Sequence, residues 1–278
     1  MADRRRRLLV NHFEHATGEA LRQAVSHDGG RVYPKIRIAD ALDIDRSGLA
    51  RDEYSYAFKA HFDFVVADGD SCAAFAVEFD ETHHDSDPNT IVRDALKNSI
   101  CGKLEMPLLR IRGRHLEAAG HFPSLIGWLA ELFFLERSFY AAQDRGEIPP
   151  DEPFIWFSVR GYDPFLSARV LIQNLYKTNL IKNPAPQEHR AYPSSGACSA
   201  VATVELNSGG FLVGHAHCFA LGFSAVPSRD LAVELAVGAL AEQWHNCVAG
   251  RAHPLNRDDL DTYCTRHLET ETRRPTRA

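Results

Sequence analysis

Apolar residues recur at helical spacing over residues 7–26 (Leu9, Phe13, Ala16, Ala20, Leu21, Ala24) and Gly29 and Gly30 follow, which predicts an amphipathic helix closed by glycine. Residues 31–38 then alternate Val32, Ile36 and Ile38 with polar positions, the period of a strand. A polar connection is expected over 43–55. Two apolar runs, 61–67 and 72–79, flank Asp68, Gly69, Asp70 and Ser71, a hairpin signal. Pro88 opens a helix at about residue 89 that runs through Leu96 and Ile100 to Leu104, and 107–111 reads as a short buried strand. One or two further helices are expected over 115–143, for an order α-β-β-β-α-β-α.

Three prolines and several charges between Arg145 and Pro153 interrupt the pattern, so a first domain is expected over 1–145, a linker over 146–153, a second domain over 154–268 and a disordered tail over 269–278. In the second half the pattern predicts a strand at 154–159 and a helix at 164–176. Two alternating runs, 199–206 and 210–221, are joined by Asn207, Ser208, Gly209 and Gly210, and a long helix follows over 227–248. His215, His217, Cys218, His245 and Cys247 lack the short ligand spacing of structural zinc sites and are read as part of the fold.

Composition narrows the class. Hydrophobic residues are 45% and charged residues 24% of the 278, enough for a buried core and unlike a disordered or collagen-like chain. Lys+Arg 31 against Asp+Glu 37 gives a net charge of −6, which excludes a basic coat protein but not a local nucleic-acid site, because patch charge steers a polyanion. Scattered cysteines without a CxxC pair lead to the expectation of a reduced, cytoplasmic protein. The apolar stretch after Arg4–Arg7 is too short for a secretory leader, and no membrane role is expected.

Chemistry concentrates on the hairpin. Asp63 interrupts the first apolar run, and the second ends in Glu78, Phe79 and Asp80. Side chains alternate along a strand, so Glu78 and Asp80 are expected on one face, with Asp63 brought near by the turn. Three carboxylates in an apolar sheet repel one another unless a cation neutralises them. Oxygen ligands favour Mg²⁺ or Mn²⁺, and the Phe79 carbonyl offers a further ligand. On the next helix Asp94 and Lys97 share a face, and Lys97 is placed to act on a metal-bound phosphate. Arg110, Arg112 and Arg114 alternate on one side of the following strand and are candidates for holding a nucleic-acid backbone.

The ordered set Asp63, Glu78, Asp80, His84, Arg93, Asp94, Lys97 and the Leu108–Ile111 strand, spread over residues 8–115, resembles the PD-(D/E)XK nuclease superfamily. It is most similar to the bacterial very-short-patch-repair-like branch and its relatives of unknown function. The resemblance implies an α/β fold with a restriction-endonuclease-like αβββαβ core followed by a smaller α+β domain. It implies Mg²⁺- or Mn²⁺-dependent hydrolysis of phosphodiester bonds, with DNA preferred to RNA. Asp63 and Glu78 would hold the metal with Asp80 or the Phe79 carbonyl, Glu14 (or Glu19) would be the acidic residue of the first helix, and His84 or Lys97 would assist proton transfer or contact phosphate. Arg93 would join the arginines that face nucleic acid. One departure stands out: the superfamily's lysine two residues after the glutamate is Asp80 here, a role that Lys97 could take.

The second half is faintly similar to a double-stranded-RNA-binding domain in its order of helix, strands and helix, but Arg229 is the only cation where that family has a lysine cluster. The expectations are therefore a metal-dependent DNA nuclease; alternatively a nuclease-like fold that binds without turnover, or an RNA-directed nuclease.

Overall fold

The computed structural model describes residues 12–26, 29–80, 88–120, 122–159 and 163–269, which form an α/β protein of two units. One unit runs to Trp156 and takes in Ala220–Ala225; the other comprises Phe157–Phe219 and the chain from Val226 onward.

The first unit begins with α1 (His12–Val25) and β1 (Arg31–Arg37), followed by the short α2 (Ile38–Ala41) and by α3 (Arg51–Ala57). The hairpin strands β2 (His61–Ala67) and β3 (Ala73–Phe79) lead through α4 (Pro88–Lys103) to β4 (Leu108–Ile111), and α5 (Leu125–Asp144) closes the unit. Its strands lie in the order β1-β2-β3-β4, antiparallel except for the β3–β4 pair, which is parallel and needs the α4 crossover. The edge position suits β1, because Pro34 has no amide hydrogen to give a further neighbour.

The central strands are apolar on both faces, and Phe62, Phe64, Phe75, Val77, Leu108 and Ile111 are fully buried. Phe75 packs among Phe133 and Phe134 of α5 and Phe223, at ring separations of 4.8, 6.2 and 5.4 Å. The Ser224 hydroxyl donates to Glu136 at 2.8 Å, tying the same returning segment to α5.

The expected polar connection over 43–55 is in part a helix, α3. Its organiser is Glu53, whose carboxylate accepts from the Ala50 amide at 2.7 Å, the Ser99 hydroxyl at 2.6 Å and the Lys103 ammonium at 2.7 Å. Ser99 and Lys103 stand more than forty residues away along the chain, so local pattern could not show them. Hydrogen bonds from Lys103 and Ser99 lower the Glu53 carboxyl from 4.5 to about 2. A depressed folded pKa means a contribution present above the ordinary value and lost as pH falls through the lower one. Glu53→Gln is therefore expected to cost about 1–2 kcal/mol at neutral pH. The gap to the native chain should narrow toward pH 2 in urea titrations run at successive pH values.

In the second unit, α6 (Leu166–Lys177) precedes an antiparallel meander of β5 (Gln187–Ala191), β6 (Ala197–Glu205) and β7 (Phe211–Leu221). The helices α7 (Ser228–Val248) and α8 (Arg257–Glu269) follow. Gly214 lets α7 lie directly on β7, and Leu260 of α8 packs with Phe211 and Val213. The strand expected at 154–159 is instead a 3₁₀ turn, Trp156–Ser158, whose Trp156 sits edge-on to Trp128 at 5.6 Å. No helix among the described residues is long and apolar enough to cross a membrane.

Candidate functional site

The hairpin ladder ends where the carboxylates begin. Phe64 pairs with Val77, so Asp63 and Glu78 fall opposite one another at the next position. Their backbones are joined through side chains: the Asp63 amide donates to Glu78 Oε1 at 3.2 Å, and the Phe79 amide donates to Asp63 Oδ2 at 2.9 Å. Each carboxylate thus satisfies a backbone donor that the end of the ladder leaves over. This reciprocal lock fixes both acids side by side at the ends of β2 and β3.

Two lysines answer their charge. Lys97, buried on α4, pairs with Glu78 Oε2 at 2.7 Å and donates to the His61 carbonyl at 2.9 Å. Lys35 on β1 pairs with Asp63 Oδ1 at 2.6 Å and with Glu14 of α1 at 2.8 Å. Burial pushes the Glu78 carboxyl up to about 7, opposed by the Lys97 charge and reinforced by that of Asp63. Each carboxylate oxygen has more than one lone pair, so these contacts leave acceptor capacity on both acids.

The third expected ligand goes elsewhere. The Asp80 amide continues the parallel ladder, donating to the Ile111 carbonyl at 2.8 Å. Asp80 pairs with Arg110 at 3.1 Å, and its carboxyl is raised by burial against the pull of that arginine. Arg110 also meets Asp94 at 3.0 Å and Asn98 Oδ1 at 3.0 Å, with only 7% of its surface exposed. The expectation of an open arginine face on β4 is corrected accordingly: Arg110 points inward to this cluster. β4 stops at Ile111, and Arg112 and Arg114 lie in and before a 3₁₀ turn, Gly113–Leu116, both half-buried. Arg93 is exposed on α4. His84 lies outside the described residues.

Arg110 cannot shed its charge, so its partners are structural. Asp80→Ala should cost about 1–2 kcal/mol while Asp94 remains. Removing both acids should cost about 3–5 kcal/mol, more than the sum of the single changes. Urea denaturation of the three variants checks this. Were Asp80 a metal ligand, its single variant would instead lose metal with little change in stability.

The structure therefore brings together Asp63, Glu78, Lys97 and Glu14, and it separates Asp80 into the Arg110 cluster. Among the described residues, no three or more His, Cys, Asp or Glu side chains converge as a metal cage. The donor set of Asp63, Glu78 and the Phe79 carbonyl is all oxygen, two acids and a neutral ligand, which fits an ion such as Mg²⁺ that keeps several of its waters. Lys35 was not singled out in the sequence. Its position on the polar side of an alternating strand is the only local signal, and the cross-strand register that sets it beside Asp63 is not legible from one strand.

In the second unit His217 Nδ1 meets the Ser199 hydroxyl at 3.0 Å, and His215 meets the Tyr263 hydroxyl at 2.7 Å and stacks on His267. These histidines are engaged by side chains of their own unit.

A family model described as a protein of unknown function (DUF2726) matches residues 6–122, the stretch that carries Glu14, Lys35, Asp63, Glu78, Asp80, Lys97 and Arg110. No curated protein and no solved structure matches the chain significantly.

Proposed function

We propose that the first unit is a metal-dependent phosphodiesterase of the PD-(D/E)XK kind, acting on DNA. The observation that carries this reading is the reciprocal lock of Asp63 and Glu78, with a buried lysine on Glu78. Two acids held at adjoining strand ends by each other's backbone are preorganised, which is what a site must be to act without rearrangement. Asp63, Glu78 and the Phe79 carbonyl would hold Mg²⁺ or Mn²⁺, which when bound supplies an acidified water and a counter-charge for the scissile phosphate. Lys97 opposes the burial that raises the Glu78 carboxyl, and so favours the ionised form that a metal would need. As the ammonium on Glu78, it is also the donor placed to meet a phosphate oxygen there. Arg93, Arg112 and Arg114 remain candidates for the nucleic-acid backbone.

A second reading has its own support. Every acid of the cluster is already answered by a cation, Lys35, Lys97 or Arg110, as in a fold that binds a partner without turnover. Incubation of the full chain with supercoiled plasmid, linear duplex, single-stranded DNA and duplex RNA, with Mg²⁺ or Mn²⁺ and with EDTA, separates the readings. Metal-dependent cutting is expected, with DNA preferred. Absence of cutting together with absence of Mn²⁺ binding by calorimetry would replace the enzyme by the binding module.

A further inference from the structure

Lys35 is in an unusual position for a strand residue. It falls between the Pro34–Phe64 and Ile36–Phe62 pairs, opposite Asp63, yet its φ is +54°. A lysine in the left-handed region costs on the order of 1 kcal/mol that glycine would not incur. An ordinary surface ion pair gives back no more than that. The conformation is held by two carboxylates at once, Glu14 from α1 and Asp63 from β2, at 2.8 and 2.6 Å. Glu14 is itself buried, with 8% of its surface exposed, so the ammonium stands between two part-buried carboxylates from different elements.

An ammonium between two carboxylates from different elements supplies the positive charge that a second divalent ion would supply in a two-metal centre. We infer that Lys35 is the resident counter-cation of this site, a positioning residue that holds Glu14 and Asp63 together and restricts the site to a single metal on Asp63 and Glu78. The inference rests on the metal-dependent reading proposed above and adds the number of ions and what sets it. It also gives the strained conformation a role, since in it the ammonium reaches both acids, at 2.8 and 2.6 Å.

The test counts bound ions, by calorimetry and by electron paramagnetic resonance with Mn²⁺ alone, on the full chain. One ion is expected for the native protein and for Lys35→Arg. Two are expected for Lys35→Met, and one again when Glu14→Gln is added. Lys35→Gly gives a second version of the vacancy in a residue that tolerates the backbone conformation, should the methionine variant fold poorly. One ion in each of the native, methionine and glycine proteins would overturn the inference while leaving the single-metal reading in place. No ion in the native chain but one in Lys35→Met would uphold the role of Lys35 and overturn the metal-dependent reading of the native site. No ion in any of them would overturn both.

Discussion

Glu78→Gln is expected to abolish metal-dependent cleavage while leaving the fold as stable as before, or more so, above pH 7. The amide oxygen of glutamine can still accept from the Asp63 amide, as Glu78 Oε1 does at 3.2 Å, so the ends of the hairpin keep their connection. What disappears is the charge that would ligate the ion. Losing a partner that merely orients a ligand costs about 10–100-fold in affinity or activity, so losing the ligand should cost at least about 100-fold. The stability argument runs the other way. A carboxyl raised from 4.5 to about 7 by burial is one that the folded chain prefers neutral, even beside Lys97. The folded state then binds more protons than the unfolded state between those values, and stability falls as pH rises through the interval. Above pH 7 the native chain bears that penalty in full and the neutral isostere does not. Plasmid cleavage and urea denaturation of the same samples at pH 8 give both readings. Cleavage equal to the native protein would sink the nuclease proposal.

Gly214→Ala should produce the largest loss of stability, roughly 3 kcal/mol or more, the upper end of what overpacking costs. A Cβ at this position of β7 would press on the backbone of α7 at the Ala236 carbonyl and the Leu240 amide, with the Ala239 carbonyl carbon 2.9 Å away. Those atoms belong to a helix ladder and cannot turn aside as a flexible side chain would. Relief requires α7 to lift from the sheet, which uncovers Leu231, Leu235 and Leu240, all buried now. Gly238, one turn along, is the internal control: a Cβ there meets nothing within 4 Å. Gly238→Ala should stabilise the helix by about 0.5–1 kcal/mol. Urea titration of the two single variants, compared for midpoint at equal slope, decides the matter. A Gly214→Ala midpoint unchanged from the native protein would show that β7 and α7 are not in rigid backbone contact.

Where the apolar period was regular, the sequence was readable: α1, the β2–β3 hairpin, α4, β4 and α7 all lie where spacing places them. The helix α3 was hidden because its stabilising contacts run from Glu53 to Ser99 and Lys103. The elements β5 and α8 were hidden for a related reason, since β5 is an edge strand with polar residues and α8 buries little beyond Leu260. At the site, the pairing of Asp63 with Glu78 followed from hairpin geometry. The pairing of Asp80 did not, because its partner Arg110 stands on β4, thirty residues along the chain. The burial of Arg110 was likewise not legible on its own strand, since Asp94 and Asn98, which meet it, stand on α4. Lys35 shows the deeper limit: its meaning depends on a register between strands and on a backbone angle, and neither is written in local composition.

The return of Ala220–Ala225 to the first unit also sets an order of events during synthesis. When the ribosome has delivered Trp156, the rings of Phe75 and Phe133 lack Phe223, which follows only after β5, β6 and β7 have been made. A vacancy the size of a phenylalanine in a packed core corresponds to about 3–5 kcal/mol. The nascent N-terminal part must therefore wait, incompletely closed, for some seventy further residues, about 4–14 s at bacterial elongation rates. The aromatic packing on β3 is therefore completed late in translation, only once every strand of the second unit has been made.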